Sequence, residues 1–310
     1  MRVLIMNNKN KILIFGIMIV SMIITSVFAF CSFERKYDEI SVNWMSKVND
    51  DVNITDLSIP GTHDSGALHS IADVAGKCQD MSISSQLKIG VRFFDLRLQL
   101  VNNEFKIVHS FVDQDLKFQT VVEDLYSFIK KYDSEFLIIS IKEESSSVNS
   151  TLSFEEALIK ELKIYENVFM INDTTLPKKV GMARSKIYIL SRFYGEIGIP
   201  AYYGWMDDTS FELNDLYIQD NYNISDIDEK KNDILNTIAY ARNNQNKLVI
   251  NFTSCYLDHG FPPLYAGTTA LSINPWLKDE IAKSDEKLGI ILVDFIDEEL
   301  SKAIYMRNII

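Results

Sequence analysis

Eight short, almost uninterrupted apolar runs recur along the chain: DLSIPGTHD, VRFFDLRLQL, FKIVHS, FLIISIKEE, KIYILSRF, DLYIQDNY, KLVINFTS and GIILVDFI. Continuous apolarity without alternation is the pattern of strands buried on both faces, as in parallel sheets. Between the third and fourth runs, Phe118, Val121, Val122, Leu125, Phe128 and Ile129 fall on one helical stripe. Leu158, Leu162, Tyr165 and Phe169 repeat that spacing before the fifth run, and DEKKNDILNTIAYARNN precedes the seventh. Helical crossovers imply parallel neighbours, so the expected fold is α/β, an irregular (β/α)8 TIM-type barrel in a single domain. One link breaks the rule. The second and third runs are joined only by VNNE, too short for a helix, which leaves the local pairing there open.

The chain has 310 residues, 47% of them apolar and 24% charged, enough to bury one barrel-sized core. Its first 29 residues stand apart. Arg2, Lys9 and Lys11 precede the run ILIFGIMIVSMIITSVFAF, and V-F-A ending at Ala29 resembles a signal-peptidase site. Residues 1–29 therefore read as an export signal, with an uncleaved membrane anchor as the alternative, and residues 30–310 as the barrel domain. Phe30 is too bulky for Cys31 to belong to a lipoprotein box. The net charge is −12, and loss of the leader's cations would make it more negative. Such a balance argues against nucleic acid as a partner and against capture by strongly anionic membranes. Cys31, Cys78 and Cys255 are odd in number and widely spaced, which indicates neither a disulfide framework nor a metal-type pair.

The carboxyl ends of the runs hold the candidate chemistry, because that end of a parallel barrel carries the active site. In order they are His63 and Asp64, Asp95 and Arg97, His109, Lys142, Arg192, Asp220, Ser254 and Asp294. Polar residues at strand ends are individually commonplace; their convergence on one rim is the signal. Two histidines suit a displacement at phosphorus, in which one accepts a proton from the nucleophile and the other gives one to the leaving oxygen. Arg97 can hold the non-bridging phosphate oxygens and stabilise charge in the transition state. Asp64 and Asp294 can orient the imidazoles. A metal-dependent phosphodiesterase would need a cluster of oxygen ligands, whereas Arg97, a permanent cation, stands beside Asp95. The expected reaction is metal-independent and needs no cofactor. His69 and His259 follow no strand and are assigned to ordinary surface.

SIPGTHDSG, VRFFDLR, IVHS, IISIKEE, LSRF, IQDNY, INFTS and VDFI occur in this order over roughly residues 40 to 300. In this the chain resembles the secreted bacterial phosphatidylinositol-specific phospholipases C. The resemblance implies an incomplete barrel and cleavage of phosphatidylinositol to diacylglycerol and 1,2-cyclic inositol phosphate. It implies that His63 is the general base, oriented by Asp294, and that His109 is the general acid, assisted by Asp64. Arg97 would stabilise the phosphate and be held by Asp95. Lys142, Arg192 and Asp220 would bind the inositol hydroxyls, and Tyr222 would lie against the sugar. Two departures stand out: Leu98 and Ser110 occupy positions where better-known members have glycine, and residues 65–85, expected to include an early helix, have no tryptophan for membrane contact. Phe261, Leu264 and Tyr265 are the alternative membrane-contacting residues, unless they pack internally.

The expected protein is thus a secreted monomer making transient peripheral contact with phosphatidylinositol in membranes. Glycosylphosphatidylinositol anchors present the same inositol phosphate and are a second candidate substrate. Two other readings remain: a metal-dependent glycerophosphodiesterase on a similar barrel, and an inositol-lipid binding module without turnover.

Overall fold

The structure, a computed structural model, describes residues 37–70, 76–110, 112–257 and 265–309. From Asp38 onward the chain forms one compact unit. The leader, Cys31, His259, Phe261 and Leu264 lie outside the described residues.

The strands are β1 (Ser58–Thr62), β2 (Phe93–Val101), β3 (Glu104–His109), β4 (Val112–Lys117), β5 (Leu137–Glu143), β6 (Phe169–Met170), β7 (Ile187–Arg192), β8 (Ile199–Pro200), β9 (Ser210–Leu213), β10 (Leu216–Gln219), β11 (Leu248–Phe252) and β12 (Gly289–Val293). The helices are α1 (Glu39–Val42), α2 (Ile83–Lys88), α3 (Phe118–Lys131), α4 (Phe154–Leu162), α5 (Val180–Ala183), α6 (Ile227–Asn243), α7 (Ala266–Ile281) and α8 (Glu298–Tyr305). All eight apolar runs contain strands. Parallel neighbours follow the order β7-β5-β2-β1-β12-β11-β10, which brings the last long strand back beside the first. The circle is interrupted between β7 and β10. There β8 pairs with β7, β9 runs antiparallel to β10, and no ladder joins the two edges among the described residues. This is the irregular barrel the pattern predicts.

Two expectations change in detail. The third run is not a barrel strand: β3 pairs antiparallel to β2, and Val101 lies opposite Glu104. The two residues between them, Asn102 and Asn103, have φ of 53° and 63°, as a two-residue hairpin turn with the right-handed twist of its strands requires. β4, which the apolar pattern missed because it reads VDQDLK, continues the meander. The second change concerns Phe169, which extends a helical spacing in the sequence but lies in β6 beside Ile187; α4 ends at Leu162. Among the described residues of the early region, 76–82 are irregular and Ile83–Lys88 is helical.

The α3 stripe is buried as its spacing predicts. α4 starts at a reciprocal cap, in which Ser153 Oγ accepts from Glu156 N and Glu156 accepts from Ser153 N. Gly61 permits the close approach of β1 and β2, since a Cβ there would lie 3.0 Å from Phe93 Cβ. At the amino-terminal ends of the strands, Arg92 Nε donates to Glu135 Oε2 at 2.8 Å, both fully buried. The remaining guanidinium donors reach carbonyls of Leu87, Val91 and Val42. This stapled base leaves the opposite end for chemistry.

Candidate active site

Strand register places the site. Thr62 pairs with Val293, so the next residues, His63 and Asp294, leave the sheet side by side, and His63 Nδ1 donates to Asp294 Oδ1 at 2.8 Å. On β2, Asp95 and Arg97 are two apart and share a face. Arg97 lies opposite Lys142 on β5, and Lys142 opposite Arg192 on β7. A row of three cations therefore crosses adjacent strands. Like charges in one row repel, and here carboxylates separate them. Arg97 faces Asp64 (3.2 Å), Asp95 (3.4 Å) and Glu144 (3.5 Å). Lys142 meets Glu144 at 2.6 Å, and Arg192 meets Asp95 at 3.3 Å and Asp220 at 3.9 Å.

His109 reaches the rim by a different route from the one expected. The β2–β3 hairpin projects past the barrel end and β3 returns toward it, bringing His109 back to the level of the site. One buried atom shows how closely the groups meet: Asp64 Oδ2 lies 3.8 Å from His63 Nε2, 3.4 Å from His109 Nε2 and 3.2 Å from Arg97 Nε. Asp64 occupies the left-handed region, φ 42°, which aspartate tolerates better than most residues; its amide donates to Asp95 Oδ2 at 3.3 Å.

The electrostatics sort these groups. Burial favours neutral His63, but Asp294 outweighs burial and the opposing Arg97, so the ring is more basic than usual. Arg97 Nη2 donates to His63 Nε2 at 2.7 Å. With Nδ1 donating to Asp294, this selects the tautomer whose free lone pair is on Nε2. Burial also pushes Asp64 up, only partly offset by Arg97 and His109. Asp95 is pushed up by burial too, but Arg97 and Arg192 overcome this and hold it well below the usual range. Against the burial penalty, Arg97 and Lys142 hold Glu144 down to about 2.

A cleft of about 540 Å³ opens on this rim. Every candidate residue from the strand ends lines it except Asp64 and Asp95, which lie beneath Arg97. Tyr222 is on the wall, its hydroxyl donating to Asp207 Oδ1 at 2.6 Å. Tyr265 also lines the cleft. His69 is exposed, as expected of a surface residue.

Several members of the site carry no sequence signal. Trp205 lies under Arg192, 3.7 Å from guanidinium carbon to ring centroid, and donates to Asp220 Oδ2 at 3.0 Å. Gln79 is fully buried, and its Nε2 donates to the carbonyls of His63 and Val293, each at 2.8 Å, tying together the backbones that carry His63 and Asp294. Glu144 was visible only as one acid of KEE. The departures from glycine also resolve. Leu98 is a buried β2 residue, where any side chain fits the backbone, while Ser110 has φ 53°, a conformation that favours glycine.

Cys78 is a free, buried thiol 4.0 Å from His109 Nδ1. His63, Cys78 and Asp294, and likewise Asp64, Cys78 and His109, bring potential ligand atoms within 4.8 Å of one another. These sets do not fit a catalytic cation well. Arg97 already pairs with Asp64 and His63, and burial with neighbouring carboxylates pushes the Cys78 thiol well up, away from the thiolate a metal needs.

Fold and site together present an interrupted parallel barrel whose carboxyl-end rim gathers two histidines and an arginine around one carboxylate. Residues 57–192 match the X domain of phosphatidylinositol-specific phospholipase C. The chain is 28% identical over 278 residues to a 1-phosphatidylinositol phosphodiesterase of Staphylococcus aureus, covering 82% of this chain and 88% of that one. A Listeria monocytogenes protein of the same name is 27% identical, covering 86% of this chain and 84% of the relative. A solved structure of the Staphylococcus aureus phosphatidylinositol-specific phospholipase C superposes with TM-score 0.76 at 26% identity, over 86% of this chain and 97% of that one. The Listeria monocytogenes enzyme gives 0.73 at 25% identity, over 86% and 98%. In sequence and in fold the chain is similar to the phosphatidylinositol-specific phospholipases C.

Proposed function

We propose that this protein cleaves phosphatidylinositol to diacylglycerol and 1,2-cyclic inositol phosphate without a metal ion. The observation that carries the reading is the meeting of His63, Arg97 and His109 around Asp64 Oδ2. His63 Nε2 takes the proton from the inositol 2-hydroxyl, whose oxygen attacks phosphorus. The bond from phosphorus to the diacylglycerol oxygen breaks, and His109 protonates that oxygen. Asp294 stabilises the imidazolium formed on His63, and Asp64, 3.4 Å from His109 Nε2, orients that ring. Arg97, held by Asp95, takes the charge that grows on the non-bridging oxygens. No water is consumed, so this step is a lyase reaction; slower hydrolysis of the cyclic product reverses the roles of the histidines.

Lys142, Arg192 and Asp220 offer donors and acceptors to the remaining inositol hydroxyls, and Tyr222 offers a ring face to the sugar. The Staphylococcus aureus relative has been studied for its membrane binding, and peripheral contact with a membrane is the corresponding reading here. We take the protein to act outside the cell as a monomer, with Tyr265 and the residues before it as one candidate contact. The deciding experiment incubates purified protein with phosphatidylinositol vesicles in excess EDTA and follows phosphorus NMR. A cyclic phosphodiester product with undiminished rate is expected. Loss of activity in EDTA would favour a metal-dependent phosphodiesterase, and lipid binding without product would favour a non-catalytic module.

A further inference from the structure

Lys230 on α6 is fully buried, which is rare for a lysine without a paired anion. Its ammonium donates to Gln219 Oε1 at 2.9 Å and to the carbonyl of Asn221, both neutral acceptors. Holding a charge out of water costs stability that an apolar side chain of similar length would not. What this charge holds is a piece of the cleft wall. Asn221 stands between Asp220 and Tyr222, which line the cleft, and it is gripped at three points. Its amide donates to Gln219 Oε1 at 2.8 Å, its carbonyl accepts from Lys230, and its Nδ2 donates to Asp233 Oδ2 at 2.9 Å, further along α6.

The lysine also sets the sense of the surrounding network. An ammonium has only donors, so Gln219 must turn Oε1 toward it and Nε2 away. That Nε2 then donates to Asn251 Oδ1 and to the carbonyl of Phe252, each at 2.8 Å, and Asn251 Nδ2 donates to the carbonyl of Ile234 at 3.0 Å. β10, β11 and α6 are thereby locked together beside the segment that walls the cleft.

We infer that Lys230 is a positioning residue for the polyol: its charge fixes residues 220–222 in the geometry that receives the inositol hydroxyls. This rests on the proposed role of Asp220 and Tyr222 in holding the headgroup. Hydrogen bonds to a carboxylate are short and directional, so a small displacement of Asp220 weakens them. Burial pushes the Lys230 ammonium down to about 8, although Cys255, Asp220, Asp233 and Asp294 favour the charged form. The positive charge is thus present at neutral pH and is lost as pH rises through that value.

The test uses two probes. myo-Inositol lacks the phosphate and reads the sugar side of the cleft by itself; short-chain, monomeric phosphatidylinositol reads turnover. Lys230→Met keeps an apolar stem and removes the donors and the charge. At about pH 6.5 the variant should bind myo-inositol about tenfold more weakly and raise KM by a similar factor, with kcat within about threefold of wild type. Wild-type affinity for myo-inositol should fall between about pH 7 and about pH 9.5, with its midpoint at about 8, and the variant should show no such fall. The wild-type profile needs no variant, so poor folding of Lys230→Met leaves the test intact. Unchanged myo-inositol affinity and KM in a folded variant, or wild-type affinity that is absent or flat across that pH range, overturns the inference. Wild type that binds myo-inositol with the expected pH dependence but releases no diacylglycerol overturns the proposed reaction instead, leaving the positioning role supported.

Discussion

Replacing Asp294 with asparagine removes one charge at a nearly invariant volume and separates two effects of the carboxylate. In the free protein the His63 tautomer does not depend on Asp294 alone, since Arg97 Nη2 donates to Nε2 from 2.7 Å and would clash with a proton there. Asp294→Asn should therefore keep the ring in place with its lone pair available. What it loses is compensation for the imidazolium that forms as the inositol hydroxyl is deprotonated. That cation is held beside Arg97, and the carboxylate oxygen 2.8 Å from Nδ1 is its counter-charge. Unit charges about 4 Å apart at an effective dielectric constant of about 20 interact by about 4 kcal/mol. Retained hydrogen bonding reduces this to about 3–4 kcal/mol, a fall in kcat of roughly 10²–10³. Because Asp294 raises the His63 pKa, its removal lowers it. The basic form then survives to lower pH, and the acid limb of kcat/KM moves in the acidic direction. Initial rates on monomeric phosphatidylinositol from acid to neutral pH measure both. A variant within threefold of wild type, or one whose acid limb moves toward alkaline pH, would refute the base–orienter pair.

Arg97→Lys should cost roughly 10²–10³ in kcat with a much smaller change in KM, because one ammonium cannot serve His63, the carboxylates and a phosphate together; steady-state kinetics on the soluble substrate separate the two parameters. Glu144, held down to about 2 from an ordinary 4.5, contributes about 3 kcal/mol of stability that is fully present above pH 4.5 and disappears as pH falls through 2. Urea unfolding at neutral pH and in acid should accordingly show a flatter pH dependence for Glu144→Gln than for wild type. At the other end of the barrel, Glu135→Leu leaves buried Arg92 without its anion and should cost about 3–5 kcal/mol, with activity per folded molecule unchanged.

The apolar runs of this chain are legible because strands buried on both faces must be apolar throughout, and the residue that ends each run is legible because it leaves the core at the rim. That is why His63, Arg97, Lys142, Arg192, Asp220 and Asp294 could be named before any coordinates, and why the α3 stripe matched residue for residue. Register was not legible. The alignment of Arg97 with Lys142 and Arg192, and of Thr62 with Val293, is set by ladder pairing between segments far apart in sequence. The return of β3, which carries His109 to the site, depended on two consecutive asparagines adopting positive φ; composition permits that turn without requiring it.

The sequence by itself determined eight of the strands and the ionisable groups at their ends, since burial and backbone periodicity act locally. Only the tertiary structure decided the order of the strands, which of those groups share one carboxylate oxygen, and that Glu144, Gln79 and Trp205 join them. Electrostatics and aromatic packing act over a few ångströms of space, and chains separated by hundreds of residues reach that range only after the sheet has curled.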